Sequence, residues 1–296
     1  MTIFTNADAV LDAVTVHNIT QVSHKTGQEH RKSMMSGGAI ISQVSGKASV
    51  EVSSLTTTDL ATLFAIGSGT FISVGLYIED GTITIPGKVR AAGGLFAAGS
   101  SHVGLAGTDA LIVPTTIEAS QDSDFATGGF DIHWLSNNGL TKGCDDATGA
   151  ALGTQAFGSE YALGPCYINA TLIAGVQSFR VTPGFEITKP PLGSGAIFPT
   201  QAMIKKVEPT IQITVNDFAA IAGTIGDWTE MTSANCYLRK RADKAVYSAT
   251  TDNIRFTFAA GLTDTDSFDI ANNDDGSATI TLHGKALTAS AAVAIP

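Results

Sequence analysis

Hydrophobic and polar residues alternate with a period of two along much of the chain, the signature of strands with one buried face. Val14-Thr15-Val16-His17-Asn18-Ile19-Thr20-Gln21-Val22 is the first clear run. Residues 39–45 and 48–53 predict two more strands, with Gly46-Lys47 as the tight connection between them. Residues 70–78, 82–86, 111–119 and 129–134 continue the pattern, with turns such as Glu79-Asp80-Gly81 between them. In the second half, residues 167–173, 195–206, 210–215, 242–249, 253–259 and 267–270 also read as strands. The period changes after Thr56-Thr57-Thr58-Asp59, a helix-start cluster. Leu60, Leu63 and Phe64 then fall on one helical face, and Gly67-Ser68-Gly69 ends the helix. Residues 7–14 fit a short helix or the lead-in to a strand equally well.

The pattern repeats. Ser36-Gly37-Gly38-Ala39-Ile40-Ile41, Val50-Glu51-Val52 and Thr58-Asp59-Leu60-Ala61-Thr62-Leu63-Phe64 follow one another early in the chain. Gly193-Ser194-Gly195-Ala196-Ile197-Phe198, Ile211-Gln212-Ile213 and Asn216-Asp217-Phe218-Ala219-Ala220-Ile221 follow in the same order later. Residues 167–173 match the strand at residues 17–20, and residues 216–222 match the helix. Ser267-Phe268-Asp269-Ile270 echoes Gly129-Phe130-Asp131-Ile132. Matching elements lie roughly 140 to 160 positions apart and keep their order, as expected of a duplicated unit. The predicted fold is mainly β: two tandem β-sandwich or half-barrel domains, each with one short flanking α-helix. Residues 1–145 form the first domain, 146–162 a Gly- and Ala-rich linker or insertion, and 163–296 the second.

Two segments break the alternation. Residues 23–33 are basic and lack apolar periodicity, which reads as a long exposed loop; residues 178–194 are the Pro- and Gly-rich counterpart. Loops of this length tend to be functional or interface-forming.

Composition narrows the function classes. Charged residues are 15% of the chain, against roughly 25% in an average soluble protein, so Ser, Thr, Asn, Gln and Gly must cover the surface. Such a surface suits a secreted β-protein or a subunit buried in an assembly. The net charge of −10 argues against gripping nucleic acid, though not against letting it slide past. Cys144, Cys166 and Cys236 are odd in number, without ligand spacing, and read as buried free thiols. No targeting segment is read at the N-terminus, and no membrane span is expected, since no apolar run approaches the required length.

No catalytic constellation stands out, so no enzyme is expected. The histidines are scattered, and His24 and His30 share a segment without the spacing of a zinc site. Residues 270–276 lack the spaced acids of a calcium loop. The glycines between 93 and 107 have no strand–loop–helix phosphate site around them. No cofactor or metal is therefore expected. Arg239-Lys240-Arg241, with Lys244, is the densest basic patch. It fits salt bridges to an acidic neighbouring subunit or the protected edge of a solvated strand.

Each half resembles the tail tube protein of long-tailed bacteriophages. The resemblance rests on residues 36–64 in one copy and 193–221 in the other. Leu111-Ile112-Val113-Pro114-Thr115-Thr116-Ile117-Glu118-Ala119 is also similar to a proline-containing strand entry common in phage structural proteins. In that family six copies of the fold form a ring and rings stack into a tube. The resemblance implies that three two-domain chains form a pseudo-hexameric ring with an acidic bore through which DNA passes without specific binding. It implies a place in the virion tail, synthesis in the host cytoplasm, and contacts with tape measure, terminator and distal tail proteins. His24, Lys25, Glu29, Arg31, Lys32, Phe185 and Lys189, in the two long loops, would then reach the next ring. Arg239, Lys240 and Arg241 would bridge neighbouring subunits. A tandem-domain adhesin or receptor-binding protein, and a capsid subunit with two jelly rolls, are the competing classes.

Overall fold

The computed structural model describes residues 4–26, 30–34, 40–45, 51–65, 70–89, 102–150, 156, 158–188, 195–217, 230–243, 246–247, 251–269 and 276–296. For 4–6, 30–34, 40–45, 88–89, 147–150, 242–243, 246–247 and 264–269 it describes the backbone course alone. The chain is mainly β, with antiparallel sheets and two short helices among these residues.

Three sheets carry the fold. The first outer sheet comes from the first half: β1 (Phe4–Asn6), β2 (Ala9–Leu11), β3 (Val14–Val16), β9 (Ile83–Val89), β10 (His102–Gly107) and β13 (Asp145–Ala150). Its order is β13-β10-β9-β2-β3, with β1 also on β9. The second outer sheet comes from the second half: β14 (Tyr161–Ile168), β15 (Thr171–Ile173), β21 (Ala234–Asp243), β23 (Asn253–Phe258) and β26 (Leu287–Val293). Its order is β15-β14-β21-β23-β26, and the two-residue β22 (Val246–Tyr247) pairs with β21.

The central sheet runs through both halves. It contains β4 (Ile19–Lys25), β7 (Val52–Thr57), β8 (Leu76–Ile78), β11 (Asp109–Ser120) and β12 (Thr127–Leu135). It continues with β16 (Val176–Thr182), β19 (Thr210–Val215), β20 (Glu230–Met231), β24 (Gly261–Asp269) and β25 (Ser277–Gly284). The order is β20-β24-β25-β19-β16-β11-β12-β7-β4, with β8 on β11. Counted along the chain, the first half lies in the order first, second, fourth, third strand, and the second half repeats that order. The outer sheets repeat as well: a hairpin at one edge, then three strands in succession.

Alternation explains the layering. In β19, Ile211, Ile213 and Val215 are buried while Thr210, Gln212 and Thr214 face away. In β7, Ser53, Leu55 and Thr57 are buried. The inward residues of all three sheets merge in one core that includes Leu11, Ile83, Phe130, Trp134, Phe179, Ile213, Phe256 and Ile280. At about 25 cal/mol per Å² of apolar surface, this continuous burial is the main stabilising term.

Helix α1 (Leu60–Ala65) follows β7 as expected, with Leu60, Leu63 and Phe64 buried. Asp59 caps it: Oδ1 accepts from the Thr62 N–H at 3.4 Å, and Oδ2 from the His17 N–H at 3.3 Å. The expected helix at 216–222 lies largely outside the described residues, and the Gly67-Ser68-Gly69 stop expected for α1 lies wholly outside them.

Several expectations are corrected. Residues 14–22 are two strands, because Asn18 turns left-handed (φ 52°) between β3 and β4. Residues 70–78 are α2 (Phe71–Val74) and then β8, broken at Gly75 (φ 67°). Residues 23–33 are not one loop: β4 runs to Lys25, and β5 (His30–Met34) forms a hairpin with β6 (Ile40–Ser45). Hence β6 pairs with β5, while β7 pairs with β4 and β12. Residues 178–194 likewise hold strand β16 and β17 (Phe185–Thr188), which pairs with β18 (Met203–Val207). Residues 145–150 and 161–162 belong to strands, so the segment between the halves is shorter than 146–162. The position of β12 in the repeated order is taken by β25, and β24 takes that of β11. The resemblance between 267–270 and 129–132 therefore joins strands that are not equivalent.

Candidate assembly interface

The halves meet along one strand pairing in the central sheet, β11 with β16. Ile117, Glu118, Ala119 and Ser120 stand opposite Val181, Arg180, Phe179 and Ser178. Pro114 leaves β11 without one backbone donor and coincides with a register shift before Ile117. Beyond it, β11 turns from β8 on one stretch of its edge to β16 on the next. Ile117, Ala119, Phe179 and Val181 point into the core. Glu118 and Arg180 point the other way and form an exposed ion pair at 3.1 Å.

Three further contacts tie the halves together. Phe64 of α1 meets the edge of the Phe256 ring of β23 at a centroid distance of 5.4 Å, and Phe179 meets the same ring at 6.2 Å. Arg241 of β21 donates to the Asp124 carbonyl at 2.9 Å and lies over the Phe125 ring at 5.1 Å. The hairpin β17–β18 folds over the outward face of β11 and β12. There Leu111, Val113, Leu135 and Ala202 are buried together, with Phe185, Ile187 and Ile204 packed against them. Gly184, at φ 71°, turns the chain into this hairpin; a Cβ there would lie 2.0 Å from the Glu208 carbonyl oxygen.

The central sheet ends in two edges. β4 pairs with β7 alone, and β24 pairs with β25 and, at Gly261 and Leu262 only, with β20. Among the described residues, neither the outer edge of β4 nor that of β24 beyond Thr263 has a strand partner. Unpaired edges of this length recruit strands.

Outside the apolar patch under the β17–β18 hairpin, and apart from Leu262, the described outward face of this sheet is mostly polar. Ser23, Ser54, Thr56, Thr116, Ser120, Ser178, Thr182, Gln212, Thr214 and Thr279 line it. Its charged residues include Lys25, Glu118, Asp131 and Arg180, two of each sign. An acidic wall is thus not found on the described part of this face; the acids Asp264, Asp266 and Asp269 lie on β24, where the backbone alone is described.

The residues singled out in the sequence fall in different places. His24 lies in strand β4, and its Nδ1 is 2.9 Å from Ser53 Oγ. Lys25 ends that strand and is exposed. Arg31 and Lys32 lie on β5, opposite Val44 and Gln43. Glu29 and Lys189 lie outside the described residues. Phe185 packs within the chain, on the Leu111 cluster. In the basic triplet, Lys240 pairs with Asp252 at 3.2 Å, and Arg241 holds the 124–125 turn. Arg239 lines a recess with Gln121, Ser123 and Asp124. The contact of Arg241 thus joins the two halves of the chain. Sequence reasoning missed Asp124, Phe125 and Leu111, which act through turn and hairpin geometry and carry no motif.

Among the described residues, no group of three or more His, Cys, Asp or Glu side chains could hold a metal ion. No described helix is long and apolar enough to cross a membrane. No protein-family model matches the chain, and no curated protein matches it.

Proposed function

We propose that this chain is a structural subunit of a bacteriophage tail tube, three copies closing a ring and rings stacking into a conduit for DNA. One observation carries the reading: the central sheet repeats its strand order, its halves join edge to edge, and the strands at its two ends keep edges that have no strand partner among the described residues. Eight main strands per chain and three chains give a barrel of twenty-four strands. Barrels of 16–18 strands already enclose an aqueous channel, so this one would be wide. Closure would also remove the exposed edges.

The outward face of the sheet, outside the patch that the β17–β18 hairpin covers, would line the bore. Its Ser and Thr hydroxyls and balanced charges offer phosphate no basic stripe to hold. Low adhesion would then arise from charges of both signs spread over the described part of this face, with net acidity a secondary influence. The tube would belong to the virion tail, assembled from chains made in the host cytoplasm. Tape measure, terminator and distal tail proteins would be its partners.

An adhesin of tandem domains would hold two separately closed sandwiches. The sheet and core shared by both halves weigh against that arrangement. Light scattering during size exclusion tests the proposal. A mass of three chains of 30.5 kDa, or a multiple of three, is expected. A chain that stays monomeric at every concentration overturns it.

A further inference from the structure

We propose that the seam between chains copies the junction inside each chain: β24 of one copy pairs with β4 of the next, and the next copy's β5–β6 hairpin covers Leu262. This rests on reading the chain as a ring subunit, and it specifies which surfaces meet.

Strand direction permits the pairing. The eight main strands alternate in direction, so β4 and β24 run antiparallel to each other. A second copy can therefore be added without breaking the alternation.

The register follows from the internal pairings. Thr57 stands opposite Gly128, and Val215 opposite Ala278, which makes Gly128 and Ala278 equivalent. Gly128 pairs with Ile117, and Ala278 with Phe268. Phe268 and Asp269 thus hold the register positions of Ile117 and Glu118. On the other edge, β4 and β16 start at Ile19 and Val176, so Ser23 holds the position of Arg180. The left-handed Asn18 and Gly175 precede the two strands at the same spacing. Because Glu118 faces Arg180 inside the chain, Asp269 should face Ser23 of the next copy.

Leu262 gives an independent indication. Leu111 stands opposite His133, and Leu262 stands opposite His283 at the equivalent place. Leu111 is 4% exposed beneath the β17–β18 hairpin, whereas Leu262 is 41% exposed. The β17–β18 hairpin lies between β16 and β19 in the chain and covers the preceding repeat. The β5–β6 hairpin lies between β4 and β7, and the repeat preceding it belongs to another copy. A second copy joined at β4 would bring that hairpin over Leu262.

Cysteine pairs test the seam in the full chain. Ser23→Cys combined with Asp269→Cys should give, under mild oxidation, covalent dimers and trimers and nothing larger. Within one chain the two positions lie on opposite edges, about 30 Å apart at ~4.8 Å per strand, so an internal bond cannot form. Glu118→Cys combined with Arg180→Cys is the positive control and should close within the monomer. The native cysteines are buried and should not compete. Leu262→Asp should abolish assembly while leaving the melting temperature of the monomer unchanged. Rings that form without the Ser23–Asp269 cross-link, while the control closes, overturn the seam and leave the tube reading standing. The absence of rings from the unmodified chain overturns the tube reading itself. Rings unaffected by Leu262→Asp overturn the hairpin's part.

Discussion

Ser53 Oγ lies 2.8 Å from Trp134 Nε1 and 2.9 Å from His24 Nδ1, and so joins three strands of the central sheet through one hydroxyl. Trp134 is fully buried, and its indole N–H donates to Ser53. Ser53→Ala would leave that donor unpaired in the core, at a cost of about 1–3 kcal/mol. The expected result is a lower melting temperature with altered tryptophan fluorescence in the folded state. An unchanged midpoint in urea would contradict the account of this contact.

The shared core predicts one unfolding transition. Phe256 receives Phe64 from the first half and Phe179 from the junction strand, so the halves lean on the same ring. Phe256→Ala should cost about 3–5 kcal/mol and lower the midpoint for both halves together. Calorimetry resolving two independent transitions would show that the halves fold as separate domains.

Exposed and buried contacts at the junction should differ sharply in weight. The Glu118–Arg180 pair is about half exposed on each side. Glu118→Ala should therefore change stability by about 1 kcal/mol or less, and less still at high salt. A larger loss in a denaturant titration would mean that the pair, and not the apolar face beneath it, holds the halves together.

Much of this organisation can be read from the sequence. The alternation of Thr210-Ile211-Gln212-Ile213-Thr214-Val215 marks β19 directly, and the Asp59 cap before Leu60, Leu63 and Phe64 marks α1. Strand partners are harder to read, because a period of two gives a strand's buried face and not its neighbour. Ser- and Thr-rich strands also resemble one another, which is how residues 267–270 come to resemble β12 while β25 holds its place. The basic segment 23–33 hides its strands because a hairpin that projects from the sheet needs no regular apolar face. Arg239, Lys240 and Arg241 are conspicuous by charge, but the partner of Arg241 is a backbone carbonyl, which composition cannot signal.

Glu51 predicts a pH dependence. Its burial raises the carboxyl above its ordinary value of 4.5, outweighing the lowering influence of His24, Lys142 and the Cys144 backbone. Oε2 is buried and has no hydrogen-bond partner among the described residues. The folded state then holds this proton more tightly than the unfolded chain. The ionised group is a stability cost above its folded pKa, and that cost is relieved as pH falls towards 4.5. Glu51→Gln should raise the melting temperature at pH 7 and converge with the parent protein near pH 4. A Gln variant less stable than the parent at pH 7 would reverse the sign.

The cysteines should be silent in the native state. Burial is the largest influence on Cys144, whose thiol is pushed up to about 12, and Glu51 adds to it. Cys166 and Cys236 face each other across β14 and β21, both fully buried, and burial raises the Cys166 thiol. A thiol reagent at pH 8 should label none of the three until denaturant is added. Rapid native labelling at any of them would contradict this packing.

Electron microscopy of the purified chain, averaged along the particle axis, distinguishes a ring subunit from a free monomer. The expected particles are rings of six similar lobes with threefold symmetry around an open bore, and tubes where rings stack. Discrete elongated monomers with no central opening, at every concentration tried, would contradict the ring reading.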